Sequence, residues 1–371
     1  MRRLGVYIHI PFCVSKCSYC DFLSYSGQSE LYGKYTDFLV NEILSYPFAQ
    51  SLITTVFIGG GTPTSLPLLE MHKVLEAVNS LPLARDAEIT VECNPGTLTW
   101  DYLQQLREYG VNRLSIGLQS TCENELNAIG RTHTYIDFLK NYKTARKSGF
   151  MNTNIDMMFN LPGQSTDSFI KSLKTVVSLS PEHISCYSLT PSENTPLWQD
   201  LQSGKAAIHD DVADRLMYHA AKDLLKSNGY IHYEISNFCK PGYLCKHNLD
   251  CWLHHPYIGF GLGAHSFDGK SRWASPSTFE KYFNKDKIEC EVLSKNELHS
   301  EAMILGLRLV EGICDDDFFV RHGFRPSIKF AVPLKLLSQR GLIQLDGRKI
   351  MLTSHGLDLA NQVFLCFMDE A

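Results

Sequence analysis

Three cysteines close to the start of the chain have the residue type and spacing best suited to chemistry. Cys13, Cys17 and Cys20 follow the pattern C-x3-C-x2-C, directly after the short β-type run Val6–Ile10. Cysteine thiolates hold iron–sulfur clusters, and a four-iron cluster usually takes four of them. Three local thiolates would leave one iron open to an exogenous ligand, and an open iron can do chemistry on what it binds. The spacing therefore favours an iron–sulfur cluster with one open iron.

Zinc sites and unrelated buried thiols are the alternatives. Zinc sites usually show paired C-x2-C elements with a second pair downstream, and no second pair follows Cys20. A separate group of metal-binding side chains does occur later: Cys239, Cys245, His247 and Cys251. Its spacing, C-x5-C-x-H-x3-C, differs from the common zinc patterns. Zinc stays open as the weaker alternative at both places.

The composition is that of an ordinary globular protein. Hydrophobic residues make up 44% and charged residues 20% of the 371 residues, enough for one large α/β domain and a smaller one. A net charge of −5 without a long basic run argues against sequence-independent binding of nucleic acid. No stretch approaches the roughly 20 apolar residues of a membrane span. Twelve cysteines without a signal peptide indicate reduced thiols, so we expect a cytoplasmic protein.

Strand-like runs alternate with amphipathic segments over the first two thirds of the chain. The strand-like runs are Val6–Ile10, Thr54–Ile58, Glu88–Glu92, Arg113–Gly117, Asn154–Phe159 and His183–Ser188. Strands that alternate with helices form a parallel sheet with right-handed crossovers. Six repeats are too few for an eight-unit barrel, so the pattern predicts an α/β fold with a partial (β/α)6 barrel. In parallel barrels the active-site residues lie at the C-terminal ends of the strands.

The chain divides into three predicted regions. Residues 1–238 form the barrel with a flanking βα unit, in which 211–227 is a helix and 230–235 a seventh strand. Residues 239–290 are a connecting segment, and its first part, Cys239 to Asp268, is predicted to be loop because it is rich in glycine, histidine and aromatic residues.

The third region, residues 291–371, is predicted to be a small winged-helix-like α+β domain. Helices are expected over 297–310 and 328–340, followed by a hairpin around the Asp346-Gly347 turn. The region has few clustered basic residues, so we expect it to pack or to dock a partner rather than to contact DNA.

Glycine-rich and polar motifs follow the predicted strands. Gly60 and Gly61 lie in the run Gly-Gly-Gly-Thr-Pro-Thr, where glycine lets the backbone approach a ligand and expose its N–H groups. The other strand-end residues include Glu92, Gln119, Arg131 and Asp156. Each of them alone has the type of a helix cap or turn residue. Together at one barrel mouth they offer carboxylates, an amide and a cation to a polar ligand.

These motifs resemble those of radical S-adenosylmethionine proteins of the oxygen-independent coproporphyrinogen III oxidase family. The matching runs are Tyr-Ile-His-Ile-Pro-Phe-Cys, Gly-Gly-Gly-Thr-Pro-Thr and Asn-Leu-Pro-Gly. The resemblance implies that Cys13, Cys17 and Cys20 hold a [4Fe–4S] cluster whose open iron is chelated by S-adenosylmethionine. It places Tyr7, Gly60 and Glu92 around that nucleotide. In the oxidase branch a second nucleotide is bound, and the resemblance implies that the residues around it are Tyr19, Gly61, Thr62, Gln119, Arg131 and Asp156.

Other features resemble the heme-chaperone branch of this family more than its oxidase branch. Asp21-Phe22 stand where the oxidases have a fourth cysteine, and the barrel starts almost at Met1, without the extension that oxidases carry. The run from His247 to Trp252 matches the branch motif H-N-x-x-Y-W, except that Cys251 replaces the tyrosine. The resemblance implies that His247 is a heme ligand, and a purely structural histidine is the alternative. Other heme-ligand candidates are His254, His255 and His265.

The resemblance therefore implies a heme chaperone. Its expected cofactors are a [4Fe–4S] cluster, S-adenosylmethionine and heme, and its expected partners are an apo-hemoprotein acceptor and an electron donor for the cluster. The alternative is an oxygen-independent coproporphyrinogen III oxidase, which decarboxylates its substrate to protoporphyrinogen IX.

Overall fold

Six parallel strands follow one another across the sheet in chain order, as the βα pattern predicts. They are β1 (Arg2–Ile10), β2 (Ser51–Gly60), β3 (Leu83–Cys93), β4 (Arg113–Gln119), β5 (Thr153–Phe159) and β6 (His183–Ser188). Every residue of β4 is buried, because a parallel sheet is covered on both of its faces. The protein is represented by a computed structural model that describes residues 2–368.

The helices between these strands cover the outside of the barrel. They are α1 (Tyr32–Ser45), α2 (Leu68–Asn79), α3 (Trp100–Glu108), α4 (Glu123–Ala128), α5 (Tyr135–Lys147) and α6 (Thr166–Ser178). In α1 the buried side chains Tyr35, Leu39 and Ile43 recur every four residues and face the sheet. Gly149 follows α5 with φ of 95°, the left-handed conformation that commonly ends a helix. This geometry lets the chain turn directly into β5.

A flanking unit extends the sheet beyond β6. Helices α7 (Pro196–Gln202) and α8 (Asp211–Ser227) lead into β7 (Ile231–Glu234) and β8 (Asn237–Cys239). The predicted helix 211–227 and seventh strand are therefore confirmed. Strand β8 pairs antiparallel with both β6 and β7, so this edge does not continue the parallel barrel.

The prediction of a loop from Cys239 to Asp268 is wrong. This segment contains α9 (Lys246–Trp252), β9 (Tyr257–Phe260) and β10 (His265–Phe267). Strand β9 pairs in parallel with β1, on the side opposite β2, and so adds a seventh parallel strand. A four-residue strand in a glycine-rich stretch shows no periodicity in the sequence, because its stability comes from the distant partner β1. Further along are β11 (Ser271–Ala274), α10 (Phe279–Phe283) and β12 (Cys290–Val292).

The C-terminal region has the predicted winged-helix-like α+β fold and its own apolar core. Its elements are α11 (Lys295–Gly306), β13 (Ile313–Cys314), α12 (Asp315–His322), α13 (Pro326–Lys329), α14 (Ala331–Gln339), β14 (Ile343–Asp346), β15 (Lys349–Leu352), α15 (Ser354–Asp358) and α16 (Ala360–Leu365). The predicted helix 328–340 is interrupted at Phe330, because Pro333 has no N–H to continue the helix from Lys329. Within residues 2–368 no helix has the length and apolarity needed to cross a membrane.

Candidate functional site

The three cysteines lie on the loop that leaves the C-terminal end of β1. Cys13 is buried, Cys17 and Cys20 are half-buried, and all three are free thiols. Two contacts close the loop: Phe12–Cys13 pairs with Tyr25–Ser26, and the Lys16 ammonium donates hydrogen bonds to the carbonyls of Phe22 and Ser24, each at 3.1 Å. The loop is thus held as a defined cradle at the barrel mouth.

A cavity of about 550 Å³ opens between this loop and the strand ends. The cavity is lined by the three thiols and by seven of the predicted ligand-binding residues: Tyr19, Gly60, Gly61, Glu92, Gln119, Arg131 and Asp156. They come from β2 to β5 and the loops after β1 and α4, so segments that are far apart in sequence meet at one place. This convergence is what a parallel barrel provides at the C-terminal ends of its strands.

Two carboxylates stand side by side in this cavity. Burial, with a smaller effect of the neighbouring charge of Asp156, raises the pKa of Glu92 to about 7. The backbone N–H of Gly60 donates to Glu92 Oε2 at 3.1 Å. Burial also raises the pKa of Asp156, which accepts a hydrogen bond from Asn154 Nδ2 at 2.7 Å. Two half-buried carboxyl groups with raised pKa values favour a ligand that brings a positive charge.

Arg131 supplies the opposite charge on the other wall. Its Nη1 donates to Asn94 Oδ1 at 2.8 Å and its Nη2 donates to Tyr19 Oη at 3.0 Å. Its buried Nε has no hydrogen-bond partner within residues 2–368. Gln119 lies nearby with φ of 72°, and its Oε1 accepts from Tyr187 Oη at 3.2 Å. The site therefore holds a guanidinium whose orientation is fixed by Asn94 and Tyr19, a group that suits a ligand carboxylate.

The turn after β2 requires glycine for its close approach to the cysteine loop. A Cβ on Gly61 would lie 2.6 Å from the Phe12 carbonyl oxygen and 3.0 Å from Cys13 Sγ. Burial raises the pKa of the Cys17 and Cys20 thiols, so without a cation at this place they hold their protons. Iron would keep them as thiolates. Three free thiols in one cradle, with room beside them, fit a [4Fe–4S] cluster with an open iron.

Two of the predicted nucleotide-binding residues, Tyr7 and Thr62, are not among those that line this cavity. Tyr7 is hydrogen-bonded to His9 Nδ1 at 2.9 Å. Thr62 accepts from Asn94 Nδ2 at 2.7 Å and reaches Cys13 Sγ at 3.6 Å. Thr62 lines a neighbouring cavity of about 320 Å³ instead. The individual roles of all these residues stay predictions.

His247 lies inside the barrel, away from the cysteines. Its Nδ1 is hydrogen-bonded to Thr55 Oγ1 at 2.9 Å, its backbone N–H donates to Glu88 Oε1 at 3.2 Å, and its ring stacks on Phe57 with centroids 5.3 Å apart. Burial lowers the pKa of His247 to about 4, so the imidazole is neutral at pH 7. The side chain is buried, and its role as a heme ligand stays a prediction.

The alternative zinc site around His247 is not formed. Cys245 is fully buried and its Sγ is 3.7 Å from Glu88 Oε1, while Cys239 is buried in β8. Across residues 2–368 no three cysteine, histidine or acidic side chains are arranged around a single metal ion. This result does not bear on a four-iron cluster, which holds its thiolates on separate iron atoms.

Sequence analysis missed two residues of the site. Asn94 bridges Thr62 and Arg131, and Tyr187 holds Gln119. Asn94 directly follows β3, so its position at a strand end was enough to predict it as a site residue. Tyr187 lies within the alternating pattern of β6, and nothing in that pattern separates a cavity residue from a core residue.

Comparisons with known proteins agree with this geometry. Residues 7–176 match the radical SAM superfamily, and residues 293–359 match the HemN C-terminal domain. The chain is 36% identical to "Heme chaperone HemW" of Bacillus subtilis, over 99% of each chain. It is 41% identical to the protein of the same name from Escherichia coli, over 71% of this chain and 69% of the other.

Among solved structures, E. coli coproporphyrinogen III oxidase (HemN), described as a radical SAM enzyme, superimposes with a TM-score of 0.87. The match covers 99% of this chain and 90% of the oxidase at 23% identity, which shows a shared fold. The geometry of the barrel mouth agrees with the family matches and with the identity to curated relatives along the chain. The chain therefore belongs to the HemW family of radical SAM proteins.

Proposed function

We propose that the protein is a heme chaperone, which binds heme and passes it to an apo-hemoprotein acceptor. The observation that carries this proposal is the 36% identity to a curated heme chaperone along 99% of both chains. Phe22 supports it, because this residue stands two positions after Cys20, where the oxidases of the family have a fourth cysteine.

The barrel mouth is proposed to hold the cluster and the nucleotide. Cys13, Cys17 and Cys20 would bind the [4Fe–4S] cluster, which supplies an electron and an open iron when bound. Tyr7, Gly60 and Glu92 would surround S-adenosylmethionine, with the Glu92 carboxylate toward its positive groups. Each side chain is fixed by a neighbour before the ligand arrives, so little conformational entropy would be lost on binding.

The direct test is an anaerobic titration of the cluster-reconstituted protein with hemin, followed by addition of an apo-hemoprotein. We expect a Soret band that saturates at a defined stoichiometry, and its replacement by the spectrum of the acceptor's holo form. A protein with an intact cluster that gives no Soret band on titration would refute the proposal.

Coproporphyrinogen III oxidation is the second candidate, and one observation favours it. Tyr19, Gln119, Arg131 and Asp156, which the oxidase branch uses around a second nucleotide, line one cavity here. The test is anaerobic incubation of the same reconstituted protein with reductant, S-adenosylmethionine and coproporphyrinogen III. Chromatographic detection of protoporphyrinogen IX at catalytic turnover, together with weak heme binding, would replace the chaperone proposal by this one.

A further inference from the structure

A second cavity, separate from the barrel mouth, lies where the segment after α9 meets α11. Its volume is about 400 Å³, within the usual range for a small-molecule site. Aromatic and aliphatic walls come from Trp252, Tyr257, Phe267, Ile304 and Leu305. Three histidines also line it: His254, His255 and His265. An apolar cavity with several imidazoles has the chemistry for a flat, apolar ligand that carries a metal ion.

His255 is the histidine best prepared to bind a metal. Its Nδ1 lies 2.9 Å from Asp250 Oδ1, and its backbone N–H donates to the Asp250 carbonyl at 2.9 Å. A carboxylate that accepts the Nδ1 proton fixes the tautomer and leaves the lone pair on Nε2. Metal-binding histidines commonly have such a partner, because it orients the ring and raises its basicity. The His255 side chain is 36% exposed, so a ligand can reach it from the cavity.

The other two histidines are less suited to this role. His254 is only 7% exposed, its ring stacks on Phe267 with centroids 4.3 Å apart, and its Nε2 is 3.4 Å from Glu301 Oε2. His254 therefore forms part of the wall. His265 is exposed at the start of β10, where no carboxylate orients its ring within the described part of the chain. Of the three, only His255 combines an oriented ring with access.

Two arginines lie at or near the rim of the cavity, and each is paired with a carboxylate. Arg272 is exposed and bonded to Glu291 and Glu301. The Arg308 guanidinium lies 4.2 Å from the centroid of the Trp252 ring. A porphyrin with its faces against the aromatic walls would direct its propionates outward, to this solvent-exposed rim.

We propose that this cavity is a heme-binding site in which His255 Nε2 ligates the iron. The inference rests on the proposed heme-chaperone function and gives it a site. It differs from the expectation that His247 is the heme ligand. The His247 ring lies inside the barrel against Thr55 and Phe57. Heme would thus bind near the outer face of α11 while the barrel mouth keeps its cluster.

The test is a hemin titration, followed by absorbance, of the full chain with its cluster reconstituted. We compare the wild type with His255→Ala and with His72→Ala. His72 is a matched control, because it is also 36% exposed and also pairs with a carboxylate, that of Glu76. We expect His255→Ala to weaken hemin binding by about tenfold or more and to lose the spectrum of imidazole-ligated heme. We expect His72→Ala to behave like the wild type.

Two further measurements separate ligation from damage to the fold. Exogenous imidazole should restore the ligated spectrum in His255→Ala, since it can fill the space left by the ring. Asp250→Asn should weaken hemin binding by about tenfold while leaving the cluster absorption unchanged.

The outcomes distinguish this inference from the proposed function. If the wild type binds no hemin, the heme-chaperone proposal itself fails. If the wild type binds hemin and His255→Ala binds it equally well with the same spectrum, only the site assignment fails. Equal weakening by His255→Ala and His72→Ala would show adventitious binding to surface histidines and would also overturn the assignment.

Discussion

The backbone N–H of Gly60 donates a hydrogen bond to Glu92 Oε2 at 3.1 Å and so joins the glycine-rich turn after β2 to the end of β3. The approach is close: a Cβ on the preceding Gly59 would lie 2.7 Å from the same carboxylate oxygen. The glycine-rich motif, which the sequence predicts to let the backbone approach a ligand, therefore also supports an acidic side chain. The turn positions the Glu92 carboxylate, and the carboxylate holds the turn through the Gly60 N–H.

Glu92→Gln should make the ligand-free protein less sensitive to rising pH. The folded pKa of Glu92 is about 7, above the value of 4.5 for an ordinary glutamate. The unfolded chain loses this proton first as the pH rises, so the native state loses stability between about pH 4.5 and 7. Between about pH 5.5 and pH 8 we expect the free energy of unfolding of Glu92→Gln to gain about 2 kcal/mol relative to that of the wild type. The half-buried position of Glu92 keeps this value below the full effect of the pKa shift. Urea unfolding of both proteins at about pH 5.5 and pH 8 measures this difference. If the free energy of unfolding changed equally with pH in both proteins, the raised pKa of Glu92 would be contradicted.

Gly61→Ala should destabilise the cysteine loop. The new Cβ would meet the Phe12 carbonyl oxygen at 2.6 Å, and backbone cannot move away as a flexible side chain can. We expect a loss of about 1–3 kcal/mol in unfolding free energy and a lower iron content after reconstitution. Gly33→Ala is the matched control, since its Cβ would find only Glu70 Oε1 at 3.7 Å, at ordinary contact distance. A stable Gly61→Ala protein with full iron content would show that the turn tolerates a side chain.

Cys17→Ser should abolish the broad visible absorption of the cluster. A serine hydroxyl is a poor replacement for a thiolate ligand to iron. Cys122→Ser is the control, because Cys122 is also a half-buried free thiol but is not among the residues that line the mouth. The measurement is absorbance and iron content after anaerobic reconstitution. An unchanged spectrum in Cys17→Ser would refute the cluster assignment.

Much of the barrel and its mouth could be predicted from sequence because the signals there are local. The helix 211–227 has one apolar face and a capping Asp210, and the strand-end motifs follow each strand directly. Strand β9 could not be predicted, because its four residues depend on pairing with β1, about 250 positions away. The same holds for the surroundings of His247: a motif identifies the residue, but only the fold places its ring against Thr55.

His247→Gln should reduce the loss of stability at acid pH. Burial is the main cause that lowers the pKa of His247 to about 4, with a smaller opposing effect from Asp250 and a smaller lowering effect from Arg113. The unfolded chain binds this proton at the ordinary pKa of about 6.5, so the native state loses stability as the pH falls from about 6.5 to 4. We expect His247→Gln to remove up to about 3 kcal/mol of that loss.

Urea unfolding of the wild type and His247→Gln at about pH 7.5 and pH 5 measures the difference. Glutamine keeps a polar group within reach of Thr55, so the comparison isolates the titration from the loss of the hydrogen bond. Hemin titration of the same variant gives a second result, because a histidine that serves packing should leave heme affinity near the wild-type value. Heme binding that falls in His247→Gln but not in His255→Ala would instead assign the iron to the family motif, and would require the barrel to open when heme binds.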